Sequence, residues 1–270
     1  MGRRIGIVAG SGRFVAAAVS DLRRSGLCPV VLGIDGETRP GVKRTAEVFA
    51  AVKPGELGKA LAFFKKNEVS EIMFLGKVRP SVVFRPDLMD AETRKLLRGV
   101  KERSATALLE AAFGFLEAGG LKILNPGSLL ESHFCRPGVL TRKILSPDVL
   151  GDIDFGLRMA RRLADLEIGQ TLIVKGRSIV AVEGIEGTDV TIRRGGRLAG
   201  PGFVVVKAGR TAQDMRLDVP AVGLDTVRAL VRSGGAALGL EAAKVAFFQR
   251  EAAVALADAH GAAIVVRALG

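Results

Sequence analysis

Two short runs between Val180 and Pro220 hold most of the residues that could do chemistry. The first, Ala181 to Asp189, reads Ala-Val-Glu-Gly-Ile-Glu-Gly-Thr-Asp and is followed by Arg193 and Arg194. The second, Gln213 to Pro220, reads Gln-Asp-Met-Arg-Leu-Asp-Val-Pro, with Lys207 just upstream. Each run follows an apolar, β-branched stretch of strand type, so both sets of charges are expected at strand ends, where α/β folds build their sites. Carboxylates there suit a hard cation, and basic side chains suit phosphate oxygens. The competing reading takes Glu186, Asp189 and Asp218 as ordinary loop and cap carboxylates, and Arg193 and Arg194 as a solvated helix face.

Composition narrows the chemistry. With 270 residues, 48% of them hydrophobic, the chain can fill a substantial core and two domains. No apolar run is long enough to span a bilayer. The opening Met-Gly-Arg-Arg and Ile5 to Ala9 mimic a signal peptide, but Gly10-Ser11-Gly12, Arg13 and Asp21 break it, so it reads as a first strand. A cytoplasmic location is expected. Cys28 and Cys135 show no metal or redox spacing, and there are only two histidines, His133 and His260. A nitrogen–sulfur metal site and a nucleophilic triad therefore both lack support. The net charge of +12 favours anionic partners. Nucleic acid is not expected among them, because Trp and Tyr are absent and no basic tract is interleaved with Phe.

The elements that must position these groups alternate. Strands are expected over Arg4 to Ala9, Pro29 to Ile34, Glu71 to Gly76 and Leu121 to Leu124. Helices are expected over Phe14 to Ser25, Glu56 to Asn67, Asp90 to Val100 and Thr106 to Ala118. Pro126, Pro137, Gly138 and Pro147 mark a linker or long crossover. A helix over Asp152 to Ala164, a hairpin turning at Lys175-Gly176-Arg177, and strands over Phe203 to Lys207, Ala221 to Gly223 and Ala262 to Val266 follow. Helices over Thr226 to Ser233 and Gln249 to Ala259 complete the pattern. The fold class is α/β: a Rossmann-like N-terminal domain over residues 1–135, then a second, distinct α/β domain over 136–270 that carries the charged runs.

Strand, Gly-x-Gly, helix and then Asp35 after a second strand resemble a dinucleotide fingerprint. Backbone amides at such a helix start suit phosphate. The third glycine, which lets helix and strand pack closely, is replaced by Val15. An NAD(P)-dependent oxidoreductase using Gly10, Gly12 and Asp35 remains an alternative, as does a non-catalytic binder of anionic ligands. A bare tight turn is a third reading.

These residues resemble the UDP-2,3-diacylglucosamine pyrophosphatases of the LpxI type, which act in lipid A biosynthesis. The matching elements are Ile-Gly-Ile-Val-Ala-Gly-Ser-Gly-Arg-Phe at Ile5 to Phe14, Leu-Gly-Lys-Val-Arg at Leu75 to Arg79, and Asp152-Ile153-Asp154. Ile168-Gly169-Gln170, the Ala181 to Asp189 run, and Arg216-Leu217-Asp218-Val219-Pro220 continue them in family order over nearly the whole chain. The Glu-Gly-Thr-Asp and Arg-x-Asp-x-Pro elements are the specific ones. The resemblance implies a ligand held between two domains and metal-dependent cleavage to UMP and 2,3-diacylglucosamine 1-phosphate. It also places an essential aspartate at Asp218. Departures fall at Val15, at Ala105 and Thr106 ahead of Leu108-Leu109, and over Arg210 to Asp214.

On this reading Asp218, Asp189 and Glu186 are the catalytic candidates, and Asp218 and Asp189 the ligands of Mg²⁺ (or Mn²⁺). The substrate contacts expected are Gly10, Ser11, Gly12, Arg13, Lys77, Thr188, Arg193, Lys207, Gln213 and Arg216. Thr188 reads equally as a plain N-cap. Asp225 is set aside as a first-turn or capping residue. Asp218 is expected in a short extended segment, pointing away from its apolar neighbours. Val82, Val83, Phe84, Leu88 and Met89 offer either an acyl groove or a buried extended segment. The expected partners are the UDP-2,3-diacylglucosamine substrate, the inner membrane as a peripheral contact, and a second copy of the chain as a homodimer.

Overall fold

The computed structural model describes residues 2–12, 14–76, 88–100 and 105–270. They form two compact units: Met1–Leu130 with Asp214–Val219, and Glu131–Gln213 with Pro220–Gly270. The segment Asp214–Val219, from the second half of the sequence, thus packs with the first unit.

The first unit is built on β1 (Arg4–Ala9), β2 (Cys28–Ile34), β3 (Val48–Val52), β4 (Glu71–Leu75) and β5 (Lys122–Ile123). They pair all-parallel in the order β3-β2-β1-β4-β5. β1 is buried along its length after Arg4, as a continuous apolar run in a covered sheet requires. The helix α1 (Phe14–Arg24) buries Val15, Ala18, Val19 and Leu22, an i, i+3, i+4, i+7 stripe. α2 (Pro40–Thr45), α3 (Leu57–Lys66), α4 (Ala91–Arg98), α5 (Ala105–Ala118) and α6 (Pro126–Leu129) follow. Asp90 joins α3 to α4: its carboxylate accepts from the Thr93 amide at 2.8 Å and from the Gly58 amide at 2.8 Å. β3 and α2 are absent from the sequence reading, although β3 completes one edge of the sheet.

The second unit holds a six-stranded mixed sheet in the order β6-β13-β11-β9-β7-β8. These strands are β6 (Gly138–Val139), β7 (Thr171–Lys175), β8 (Ser178–Val182), β9 (Val204–Lys207), β11 (Ala237–Glu241) and β13 (Ala263–Arg267). A separate parallel pair, β10 (Ala221–Val222) and β12 (Ala246–Phe247), stands beside it in sequence. The helix α7 (Pro147–Asp165) covers one face with Ile153, Leu157, Ala160 and Ala164. The other face packs against α8 (Thr188–Ala199), α9 (Leu224–Arg232) and α10 (Arg250–Ala259) through Ile192, Val227, Leu230 and Ala253. Pro147, read from sequence as part of a linker, opens α7 instead: Ser146 caps it, and proline at the first helical position loses no hydrogen bond. The hairpin falls where expected. The Asp152 carboxylate closes it, accepting from the Gly176 amide at 2.8 Å and the Arg177 amide at 2.5 Å.

Candidate functional site

One end of the second sheet gathers the polar groups. β9 ends at Lys207, β8 ends one residue before Glu183, and antiparallel β7 begins at Thr171 directly opposite Lys207. The Glu183 amide donates to the Thr171 carbonyl at 2.9 Å, extending the pairing. Gly169 permits this, since a Cβ there would lie 1.9 Å from the Glu183 carbonyl oxygen. Glu183 and Lys207 are 2% and 3% exposed. Lys207 Nζ donates to Thr171 Oγ1 at 3.0 Å and Thr188 Oγ1 at 3.0 Å, and lies 3.3 Å from Glu183 Oε2. Thr188 Oγ1 in turn donates to Glu183 Oε1 at 2.8 Å. An ammonium has three donors, and each of these faces an acceptor.

This network fixes the start of α8. The N-cap is Gly187, at a φ of 83°, so Thr188 is the first helical residue and not the cap. Its hydroxyl ties the helix to the sheet. The first amides of α8 have no intrahelical carbonyl, as at any helix start. Carboxylates crowd here, which the helix dipole favours: Glu183, Glu186 just outside the helix, and Asp189 in its first turn. Glu186 pairs with Arg194 at 2.6 Å, and that hydrogen bond holds its carboxyl below the usual range. At the end of β11, buried Glu241 pairs with Arg161 at 2.5 Å and accepts from the Gly209 amide at 3.0 Å. The loop after β9 is tied down as well. Asp165 accepts from the Thr211 amide at 2.7 Å and hydroxyl at 2.8 Å, and these bonds, the amide's first, hold its carboxyl low. Gln213 Oε1 accepts from the Arg210 amide at 2.9 Å.

The first unit has two features of its own. Its sheet reverses winding direction between β1 and β4, a topological switch point where open parallel sheets bind ligands beyond the strands' carboxyl ends. Gly10, Ser11 and Gly12 follow β1 there, and the Gly10 amide donates to the Leu75 carbonyl at 2.8 Å. Gly76, at a φ of 86°, comes so close that a Cβ would lie 2.3 Å from the Ser11 carbonyl oxygen. The second feature is Asp214–Val219. The Asp214 carboxylate accepts from the Arg216 amide at 2.9 Å and from its guanidinium at 2.7 Å. That hydrogen-bonded pairing lowers the Asp214 carboxyl and raises the Arg216 guanidinium. Met215 to Leu217 form a turn, not the extended segment expected, because the Leu217 and Asp218 amides both donate back to the Asp214 carbonyl. Leu217 packs against the first unit's core and Val219 is buried, so half-buried Asp218 sits between two anchored neighbours.

The expected residues therefore divide. Thr188 and Lys207 meet in one network, to which the sequence reading did not assign Glu183 or Thr171. Glu183 was visible in the first run as a carboxylate at a strand end, but its partner lies 24 residues away. Asp189 and Glu186 flank the same helix start. Arg193 lies instead on the exposed side of α8, lining a groove with Val190, Gly196, Arg197, Arg232 and Ser233. Gly10, Ser11 and Gly12 lie at the switch point, and Arg216 and Asp218 in the anchored turn. Arg13, Lys77 and Val82 to Phe84 lie outside the described residues, while Met89 is buried. Asp225, in the first turn of α9, pairs with Arg228. Among the described residues no three His, Cys, Asp or Glu side chains cluster as a ready-made metal cage, and no helix is long and apolar enough to cross a membrane.

The LpxI N-terminal domain model matches residues 4–133, and the LpxI C-terminal domain model matches residues 136–265. The chain is also similar to the UDP-2,3-diacylglucosamine pyrophosphatase LpxI of Caulobacter vibrioides. The two are 28% identical over 269 residues, 96% of this chain and 95% of the relative. Neither match supports the oxidoreductase or the non-catalytic binder.

Proposed function

The chain belongs to the LpxI family, and from that premise we propose that it hydrolyses the pyrophosphate bond of UDP-2,3-diacylglucosamine, giving UMP and 2,3-diacylglucosamine 1-phosphate for lipid A. The observation that carries this reading is the similarity to the Caulobacter vibrioides pyrophosphatase along nearly the full length of both chains. Water adds to one phosphorus, the bridging P–O bond breaks, and the bridging oxygen leaves with the other phosphate. Two charged phosphates repel the incoming oxygen, so the site must neutralise them.

Mg²⁺ (or Mn²⁺) is the cofactor we propose. When bound, it would draw negative charge from the phosphate oxygens. Mg²⁺ usually takes one or two carboxylates together with substrate phosphates and water, so a three-carboxylate cage is not required. The Asp218 carboxylate fits that donor set. It is a hard oxygen ligand on a turn held by Asp214, Leu217 and Val219. Asp189, in the first turn of α8, is the second candidate ligand. Gly10, Ser11 and Gly12 form the turn at the switch point where phosphate would sit, the Gly10 amide itself being held by the Leu75 carbonyl. Lys207 acts by position: its ammonium holds Thr188 and Glu183, and through them the start of α8 that carries Asp189.

The test is product identification. Purified protein with UDP-2,3-diacylglucosamine and Mg²⁺ should release UMP and the lipid 1-phosphate in equal amounts, resolved by chromatography and mass spectrometry. Excess chelator should stop the reaction. No UMP above the enzyme-free control would refute the assignment, and undiminished turnover in chelator would refute the metal.

A further inference from the structure

We propose that the groove between α8 and the end of α9 is a docking surface for an anionic phospholipid bilayer. The groove has a volume of about 480 Å³ and is lined by Val190, Arg193, Gly196, Arg197, Arg232 and Ser233. Its three arginines are exposed, and among the described residues none of their guanidinium groups has a hydrogen-bond or ion-pair partner. Some exposed arginines elsewhere are paired: Arg216 with Asp214, Arg228 with Asp225, Arg23 with Glu47.

Helix geometry sharpens the pattern. At 100° per residue, Val190, Arg193, Arg194, Arg197 and Leu198 fall on one arc of about 140°. Val190 and Leu198 are 41% and 66% exposed, so this outward arc carries apolar groups beside its cations. The opposite arc buries Thr191, Ile192 and Gly195 against the sheet. A basic residue in the last turn of α8 and of α9 complements each helix dipole. Dipoles do not explain Arg193 in mid-helix, the convergence of three cations on one groove, or exposed Leu198. Surfaces that lie on acidic bilayers combine these features: arginines for phosphodiester headgroups and short apolar side chains for the acyl boundary. The chain's charge of +12 adds long-range attraction of the same sign.

Vesicle co-sedimentation tests the surface without reading turnover, so its failure would leave the hydrolase proposal standing. The protein is mixed with phosphatidylcholine vesicles, with and without about one-third phosphatidylglycerol. Wild type should sediment with the acidic vesicles alone, and raised salt should release it. Arg193→Ala/Arg197→Ala/Arg232→Ala should bind the acidic vesicles about a hundredfold more weakly, since each arginine near such a surface is worth about 1 kcal/mol. Lys43→Ala/Lys65→Ala/Lys66→Ala removes the same charge from exposed positions of the first unit and should weaken binding by less than about threefold. Leu198→Ser should weaken it severalfold. Melting curves should show every variant folded, because no partner is removed. Equal loss in both triple variants would make net charge the cause and overturn the proposal. So would equal sedimentation with neutral vesicles, no sedimentation at all, or a change of oligomeric state in the arginine variant instead of lost vesicle binding.

Discussion

Replacing Lys207 by Met tests the network that holds the start of α8. Methionine fills most of the lysine's volume but strips Thr171, Thr188 and Glu183 of the ammonium they share. Glu183 is then a carboxylate 2% exposed that has lost its ammonium, though Thr188 still donates to its side chain. Removing one member of a buried ion pair costs about 3–5 kcal/mol, because the survivor's desolvation is no longer offset. For a unit of this size that corresponds to a melting point lower by roughly 10–20 °C. The sign of the pH dependence follows. A buried carboxyl that loses its ammonium partner has its folded-state pKa pushed above its unfolded value of about 4.3. The penalty is therefore absent below that value and grows as pH rises from it towards the folded pKa. Thermal unfolding of wild type and Lys207→Met between acid and neutral pH should show the two curves converging in acid. Adding Glu183→Leu should restore much of the loss at neutral pH, since a neutral, packed pair often matches a buried ionic one. A Lys207→Met shift under about 3 °C at every pH, or a double variant no better than the single, would refute the buried pairing.

Gly169→Ala should cost about 1–3 kcal/mol, because its Cβ would meet the Glu183 carbonyl oxygen at 1.9 Å and must push the end of β8 away; a denaturant midpoint unchanged from wild type would contradict this. Burial pushes the Asp90 carboxyl up, but hydrogen bonds from Thr93, Gly58 and Lys59 outweigh burial and hold it below its ordinary value. Its contribution to stability should be complete above about pH 4 and fade as acid carries the pH through the lowered folded pKa. Asp90→Asn, whose NH2 would face backbone donors that the carboxylate now accepts, should lower stability by about 1–2 kcal/mol near neutrality and by less in acid, with a pH-independent difference counting against it.

Much of the scaffold was legible. The buried run Ile5 to Ala9, the α1 stripe and the hairpin at Lys175 to Arg177 announce themselves through local period and turn chemistry. β11 did not, since Gly239 interrupts a short apolar stretch and weakens any strand reading. Pro147 misled because proline both ends and begins helices, and only the Ser146 cap decides between them. The site was half legible. Carboxylates and bases at strand ends could be picked out, but not which pairs neutralise each other. Lys207 was read as a phosphate contact without its neighbours Thr171 and Glu183, and Arg216 without Asp214. The packing of Asp214–Val219 with the first unit is a long-range fact that no local pattern encodes.

The most direct test of the central claim is UMP release from UDP-2,3-diacylglucosamine by wild type, Asp218→Ala and Asp225→Ala, each with a melting curve. Wild type and Asp225→Ala should turn over in Mg²⁺. Asp218→Ala should keep its fold and lose about two to four powers of ten in kcat, the effect of removing roughly 3–5 kcal/mol of transition-state stabilisation. An Asp218→Ala protein retaining more than about a tenth of wild-type kcat, a margin of about 1.4 kcal/mol, would contradict the assignment of Asp218, and a wild-type protein releasing no UMP would contradict the function itself.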